Sequence, residues 1–124
     1  EVHMVERDPG CIKVIEENLM LLQPAQRGLK AVVLARDVFA AIKEMAREGK
    51  RFEIVFFDPP FDQKLARKAL KTLFAHDILA PHSYIIAQYG LDEKLEEIDG
   101  RFEVIKHKKY GSSFLTILER VEQK

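Results

Sequence analysis

The chain has 124 residues, of which 47% are hydrophobic and 32% are charged, as is typical of one globular domain with its own core. Its 20 basic residues balance its 20 acidic residues, so the net charge neither indicates nor excludes a nucleic-acid partner. The single cysteine excludes an internal disulfide, and no spacing typical of a zinc site occurs. No apolar run approaches the roughly 20 residues of a membrane helix. We therefore expect a cytoplasmic protein that binds neither metal nor membrane.

The first part of the chain alternates between apolar strands and amphipathic helices. Residues 2–5 form a short apolar strand that ends at Glu6. Asp8 and Pro9 are the residue types of an N-cap and a first helical position, and they begin a helix that ends near Pro24. Apolar residues at helical spacing predict one buried stripe on it: Ile12, Ile15, Leu19 and Leu22.

A second strand and a second helix follow. The strand covers residues 31–35, Asp37 caps the helix, and Gly49 ends it. The apolar side chains that we expect to face inward are Val38, Ala41, Ile42 and Met45.

The third strand, residues 52–57, leads into the most informative stretch of the sequence. Residues 54–57 are an unbroken apolar run, as expected of a central strand covered on both faces. Because proline has no backbone N–H to donate to a sheet, the strand must end before Pro59 and Pro60. Asp58 and Phe61 are therefore expected on a stiff turn at the rim of the sheet, where open α/β folds bind ligands.

This turn suits a reaction at the exocyclic amine of a nucleobase. Such an amine is a weak nucleophile because its lone pair is delocalised into the ring. Two acceptors, the Asp58 carboxylate and the Pro59 carbonyl, would draw the nitrogen towards tetrahedral geometry. Phe61 would stack on a base that has been swung out of its helix or loop. The alternative interpretation is a plain strand-ending turn, in which Asp-Pro dipeptides are common.

The last part of the chain adds one more strand–helix alternation and then a hairpin. A third helix covers about residues 63–75, with an apolar face of Leu65, Ala69, Leu70 and Leu73. A strand at residues 84–88 and a short charged helix at about 91–98 follow. Residues 102–108 and 113–120 are strands separated by a hairpin-sized link. The order predicts an α/β fold, a mostly parallel sheet with helices on both faces and a C-terminal antiparallel hairpin.

The segment Asp58-Pro59-Pro60-Phe61 resembles the (Asp/Asn/Ser)-Pro-Pro-(Tyr/Phe) motif of S-adenosylmethionine-dependent amino methyltransferases. Across nearly its whole length the chain is similar to the RsmD-like family, guanine-N2 methyltransferases that act on the small-subunit ribosomal RNA of bacteria. The matching stretches are residues 5–8, 36–37, 56–61 and 109–115. The last of them resembles the Arg-Tyr-Gly-(Asp/Ser) segment that opens the final strand of that family.

The resemblance implies a Rossmann-like methyltransferase fold in a single domain over residues 1–124. It implies S-adenosylmethionine as cofactor, with Glu6 on the ribose, Asp37 on the adenine amino group and a backbone N–H of Val38 on the adenine ring. It implies ribosomal RNA as partner. The implied catalytic residues are Asp58, Pro59, Pro60 and Phe61, the implied cofactor-binding residues are Glu6, Asp37, Val38 and Asp58, and the implied substrate-binding residues are Phe61, Tyr110 and Gly111.

Several of these residues have a structural explanation that stays open. Glu6 is also explained as a surface acid beside Arg7, and Asp37 as a helix cap and nothing more. The basic cluster at residues 106–109, beside Tyr110, fits RNA phosphates, but it equally fits an edge strand that lysines protect from aggregation.

The sequence departs from the family in one respect. The glycine-rich loop that cradles the methionine part of the cofactor is absent, since the six glycines are never within four positions of each other. The first strand of the family's sheet, which lies at its centre, is also absent, so we expect a gap with two unpaired strand flanks. This indicates the C-terminal part of a longer catalytic domain. We expect a monomer. Otherwise, the sheet closes differently, and the protein is a dimer in which a second chain supplies the missing strand.

Two other functions remain as alternatives. The motif alone does not separate an RNA guanine-N2 enzyme from a DNA adenine-N6 enzyme, and only the family-like ending favours RNA. The second alternative is a non-catalytic α/β scaffold that binds no cofactor, which the absent glycine loop favours.

Overall fold

The computed structural model describes residues 1–58, 65–93, 95 and 98–121. The chain divides into two compact units, Glu1–Glu44 and Met45–Lys124, and the division falls within the second helix. None of the helices in the described residues has the length and apolar character of a membrane span.

Unit 1 contains a parallel pair of strands joined by a helix. β1 (Val2–Glu6) pairs with β2 (Ala31–Ala35), so that Glu6 lies opposite Ala35. α1 (Pro9–Leu22) and a 3-10 turn (Pro24–Arg27) connect them. The predicted start of α1 is confirmed, because the Asp8 carboxylate accepts the backbone N–H of Cys11 at 2.9 Å and Pro9 is the first helical residue.

The apolar stripe predicted for α1 is only partly buried. Ile12, Ile15 and Leu19 are half-buried, and Leu22 is 55% exposed. A sheet of two strands offers little apolar surface. Among the described residues, it cannot cover an apolar stripe that runs the length of α1.

α2 (Val38–Arg47) begins and ends as predicted. The Asp37 carboxylate accepts the backbone N–H of Ala40 at 3.1 Å, and Gly49 takes a left-handed backbone with φ of 73° two residues beyond the helix. Three of the four expected inward residues are buried and Val38 is half-buried; the buried ones are Ala41, Ile42 and Met45.

Unit 2 contains a four-stranded sheet in the order β3-β4-β6-β5. Its strands are β3 (Phe52–Phe57), β4 (Leu79–Gly90), β5 (Phe102–Tyr110) and β6 (Ser113–Arg120). β3 and β4 are parallel, and β6 runs antiparallel to both β4 and β5. β6 is therefore the single antiparallel strand in this sheet, as the C-terminal hairpin predicted. In the described part of the chain, no strand pairing joins this sheet to the β1–β2 pair.

β3 is less buried than its apolar run predicted. Val55 and Phe57 are half-buried on one face, whereas Ile54 and Phe56, on the other face, are 63% and 58% exposed. Successive side chains of a strand point to opposite faces, and only one face of β3 is covered among the described residues. The expectation of cover on both faces is therefore wrong for this structure.

β4 is longer than predicted. It begins at Leu79 rather than at Tyr84 and includes Pro81. The register with β3 shifts in this region, since Phe52 lies opposite Leu79 and Ile54 opposite Tyr84. Proline is tolerated in a strand where the ladder of hydrogen bonds is irregular.

α3 (Ala66–Ala75) buries the apolar face that was predicted for it. Ala66, Ala69, Leu70 and Leu73 are buried, and Leu65 is half-buried. Residues 63 and 64, the predicted first turn, lie outside the described residues.

The short helix predicted at residues 91–98 is not found in the described part of that segment, residues 91–93, 95 and 98, which form turns and irregular structure. Residues 94, 96 and 97 lie outside the described residues. The backbone N–H of Glu93 closes a turn on the Gly90 carbonyl at 3.2 Å, and the Glu93 side chain is buried.

The core of unit 2 gives a first testable prediction. Leu118 of β6 is fully buried, so Leu118→Ala should lower the free energy of unfolding by about 2–5 kcal/mol. Val104→Ala on β5, where the side chain is 45% exposed, should change it by less than about 0.5 kcal/mol. Urea unfolding followed by circular dichroism would measure both, and equal losses would contradict this assignment of the core.

Candidate functional site

The carboxyl ends of β3, β4 and β5 meet at one edge of the sheet in unit 2, because these three strands run in the same direction. Asp58 follows β3, Gly90 ends β4 and Tyr110 ends β5. β3 and β5 are three strand spacings apart, on the order of 14 Å. The sheet therefore brings the predicted Asp58 and Tyr110 to the same edge, on either side of the ends of β4 and β6.

Asp58 is exposed, and no hydrogen bond joins its carboxylate to another described residue. The remaining residues of the predicted motif, Pro59, Pro60 and Phe61, lie outside the described residues. Their catalytic and stacking roles stay predictions. Asp58 is thus an exposed carboxylate attached directly to a strand that the sheet holds in place.

A small buried cluster supports the end of β3. Ala66, the first residue of α3, packs with Ala87 and Tyr89 of β4, and both alanines are fully buried. Phe57 and Phe114 pack against this cluster. The small side chains allow α3 to approach the sheet closely. Phe57, the residue directly before Asp58, is held in place by its packing on this cluster.

A buried carboxylate lies at the start of α3. Glu93 is 6% exposed and accepts two backbone N–H groups, that of Arg67 at 2.8 Å and that of Ala66 at 3.3 Å. The first N–H groups of a helix have no partner within the helix, and Leu65, at the N-cap, makes no side-chain hydrogen bond there. Glu93 therefore caps α3 from a distant part of the chain. Sequence reasoning missed it, since nothing local distinguishes Glu93 from the other acidic residues of its segment.

A chain of hydrogen bonds runs behind the edge. The hydroxyls of Tyr89 and Thr116 are 2.7 Å apart, and Thr116 Oγ1 is 2.7 Å from His107 Nδ1. Burial raises the pKa of the Tyr89 phenol, the bond to Thr116 opposes this rise, and the charge of Glu93 adds to it. The Phe114 ring packs beside the two rings that end this hydrogen-bond chain. Its centroid is 5.8 Å from that of Tyr89 and 4.7 Å from that of His107.

Thr116 could have been found in the sequence. It alternates with Phe114 and Leu118, so it occupies an inward position of β6 between two apolar residues. A polar residue at such a position needs a hydrogen-bond partner. The bond of His107 to Thr116 gives His107 a structural role.

Tyr110 and Gly111 form the turn between β5 and β6. Gly111 has φ of 55°, a backbone region that favours glycine. Tyr110 is 47% exposed, and Lys108 Nζ lies 4.9 Å from the centroid of its ring, within range of a cation–π interaction. Ser113 Oγ donates to the Tyr110 carbonyl at 3.3 Å, which ties the turn to β6. An exposed aromatic ring thus lies at the same edge as Asp58.

In unit 1, Glu6 and Asp37 lie at the carboxyl ends of two neighbouring parallel strands. The Glu6 carbonyl accepts the backbone N–H of Arg36 at 3.0 Å, and Glu6 Oε1 accepts that of Asp8 at 3.1 Å. The Asp37 carboxylate caps α2, whose first residue is Val38. A carboxylate offers about four lone pairs, so one backbone bond leaves Glu6 and Asp37 able to accept others. The capping explanation of Asp37 is confirmed, and it is compatible with a ligand.

Comparison with known proteins identifies the family. The profile of a family described as conserved hypothetical protein 95 matches residues 1–119. The chain belongs to this family. It is the RsmD-like family that the sequence resembles.

Three similar proteins show how far the likeness extends. The chain is 30% identical over 70 residues to the uncharacterized methylase RP545 of Rickettsia prowazekii, a match that covers 56% of this chain and 29% of that protein. A solved structure of HI0767, a proposed methylase of Haemophilus influenzae, superposes with a TM-score of 0.81 at 23% identity, covering 98% of this chain and 73% of that one. SMU.776, a proposed methyltransferase solved in complex with SAH, gives a TM-score of 0.66 at 14% identity, covering 94% and 38%.

These structural likenesses show the fold. It is the Rossmann-like methyltransferase fold, with the antiparallel hairpin at its C-terminal end. The chain spans less than a third of the length of the curated relative from Rickettsia.

The hydrogen-bond chain behind the edge gives a second prediction. Thr116→Val keeps the shape of the side chain but removes the only oxygen that bonds Tyr89 among the described residues, so it should destabilise unit 2 by about 1–3 kcal/mol. It should also raise the pKa of Tyr89 further, because the Thr116 bond lowers it. Urea unfolding and an ultraviolet titration of tyrosinate would measure the two effects.

Thr72→Val is the matched control. Thr72 Oγ1 donates to the Lys68 carbonyl at 2.8 Å on an exposed part of α3, so its loss should change neither quantity appreciably. A Tyr89 pKa that is the same in Thr116→Val and in the unsubstituted protein would contradict the assigned bond.

Proposed function

We propose that the protein is an S-adenosylmethionine-dependent methyltransferase that modifies the exocyclic amino group of a nucleobase, with guanine N2 of bacterial small-subunit ribosomal RNA as its substrate. The observation that carries this proposal is the exposed Asp58 carboxylate, attached to a strand end at the sheet edge that also presents the Tyr110 ring. Family membership supports it, together with the methylase and methyltransferase names of the similar proteins and the SAH bound to one of them.

Asp58 has the chemistry that the amine requires. Its carboxylate would accept a hydrogen bond from the amine and, with the Pro59 carbonyl, hold the nitrogen lone pair towards the methyl group. As the new N–C bond formed, the bond between the methyl carbon and the sulfur would break, with its electron pair staying on the sulfur. Positive charge would grow on the nitrogen, and the negative charge of Asp58 would stabilise it. The amine would then release its proton to water. No further general base is needed, because the methyl group is already activated.

The residues of unit 1 fit the adenosine half of the cofactor. The Glu6 carboxylate would accept the ribose hydroxyls, Asp37 would accept the adenine amino group, and the Val38 N–H would reach the adenine ring. S-adenosylmethionine supplies an electrophilic methyl group on a positively charged sulfur. The sequence has no glycine-rich loop, so we assign no residue to the methionine half.

Charge on β5 supports a nucleic-acid substrate. Every described residue of β5 after Phe102 is exposed, including Lys106, Lys108 and Lys109. No acidic group lies within ion-pair distance of these lysines in the described residues. β5 ends at the edge that carries Asp58, so these lysines form a row that begins near the proposed position of the base. Their positive charges can bind the phosphates of the neighbouring nucleotides.

Asp58→Asn tests the catalytic role. The substitution preserves shape but removes the negative charge, so we expect the rate of methyl transfer to fall by about 10²–10³-fold. The assay follows tritiated methyl groups from S-adenosylmethionine into small-subunit ribosomal RNA. Asp77→Asn makes the same change before β4, at the opposite edge of the sheet, and should leave the rate unchanged.

The acceptors separate the competing functions. Transfer to duplex DNA and not to RNA would replace the proposed substrate with the adenine-N6 alternative. If neither acceptor is methylated and calorimetry detects no cofactor binding, the scaffold alternative is supported and the proposal fails.

The lysines of β5 give a separate prediction for RNA affinity. Replacing Lys106 and Lys108 by alanine should weaken binding to small-subunit ribosomal RNA and reduce the slope of log affinity against log salt by about 0.7 for each lysine. Lys13→Ala and Lys43→Ala, on α1 and α2, serve as charge-matched controls. Filter binding over a range of salt concentrations measures the slopes, and equal slopes in both double variants would show that β5 does not contact the RNA.

A further inference from the structure

The buried carboxylate of Glu93 has no role in the proposed chemistry. A carboxylate is costly to remove from water unless its oxygens are paired. The pairing of Glu93 is specific, because its two oxygens accept the N–H groups of the first two residues of α3, Ala66 and Arg67. The negative charge also lies at the positive end of the helix dipole, which stabilises it there. Glu93 therefore holds the first turn of α3 in one place.

The first turn of α3 and the residue before Asp58 share one buried cluster. Phe57, directly before Asp58, packs against the cluster of Ala66, Ala87 and Tyr89, and Ala66 is the first residue of α3. What fixes the first turn of α3 therefore also fixes a neighbour of Phe57.

Glu93 reaches this group from the segment that follows β4. A turn closed by the Gly90 carbonyl ends at Glu93, and the Glu93 carboxylate binds N–H groups of α3 that lie 26 and 27 residues earlier in the chain. An N-cap residue within the α3 segment would satisfy the same N–H groups but would not join α3 to the end of β4. The contact therefore joins the start of α3 to the segment directly after β4.

We propose that Glu93 is a positioning residue for methyl transfer, acting through the first turn of α3 and the cluster around Ala66 on Phe57, the residue before Asp58. This inference rests on the proposed function of that edge. If Glu93 is removed, α3 keeps its packing on Ala87 but loses the hydrogen bonds that fix its first turn. Phe57 then loses a fixed neighbour in Ala66, and the Asp58 carboxylate loses its alignment, while the acceptors of unit 1 are unaffected.

Glu93→Gln tests this proposal. Glutamine has nearly the same shape, but one of its two acceptor oxygens becomes an NH₂ group, which cannot accept an N–H. We expect kcat with small-subunit ribosomal RNA to fall by about 10–100-fold, as a misplacement of reacting groups by about 1 Å can cause. The KM for S-adenosylmethionine should stay unchanged.

Asp77→Asn is the matched control for stability. Asp77 also accepts a backbone N–H, that of Leu79 at 3.1 Å, and it forms an ion pair with Arg120, but it lies at the opposite end of β4. If Glu93 only stabilises the fold, both variants will retain kcat at temperatures where they are folded. A Glu93→Gln variant with unchanged kcat overturns the proposal.

A second measurement separates this inference from the proposed function. Hydrogen exchange of a peptide covering residues 65–70, the first turn of α3, followed by mass spectrometry, should be about 10-fold faster in Glu93→Gln and unchanged in Asp77→Asn. If the unsubstituted protein methylates no RNA, the proposed function fails, and this exchange result alone decides whether Glu93 fixes the first turn of α3. Unchanged exchange in Glu93→Gln overturns the inference in either case.

Discussion

The parallel pairing of β3 with β4 is the interaction on which the candidate site of unit 2 depends. It sets Phe57 opposite Ala87 and so places Asp58 beside the last residues of β4. The antiparallel strand β6 then pairs with both β4 and β5, so the end of β5 arrives at the same edge. If either β3 or β5 ran in the opposite direction, Asp58 and Tyr110 would lie at opposite ends of the sheet. The directions of the strands therefore decide which side chains meet at this edge.

The edge is supported from behind by polar groups that have partners. Glu93 accepts two N–H groups of α3, and Thr116 joins Tyr89 to His107. A buried polar group without a partner costs free energy, so each such bond favours one arrangement over its alternatives. The apolar contacts of Ala66 and Ala87 bring the helix and the sheet together, and the hydrogen bonds fix where the helix begins.

Unit 1 shows how the same residue can serve structure and ligand binding. Asp37 caps α2 and Glu6 bonds the backbone at the start of α1, yet each carboxylate keeps acceptor capacity at the carboxyl end of a parallel strand. Capping also fixes the direction of the carboxylate, which is an advantage for a residue that must meet a ligand. The structural and the functional interpretations of these acids are therefore compatible, and their binding roles stay predictions.

The sequence by itself determined most of the elements and their order. The hydrophobic periodicity of α2 and α3, the Asp8-Pro9 start of α1, the Asp37 cap and the link between the last two strands are local signals, and each was confirmed. Local signals could not show that Ile54 and Phe56 are exposed, that β4 extends back to Leu79, or that the segment after Gly90 forms turns. Burial depends on what packs against a residue, and those partners are distant in the chain. For the same reason only the tertiary structure revealed Glu93 as the cap of α3, since a carboxylate and the N–H groups it binds can lie 26 residues apart and leave no pattern in the sequence.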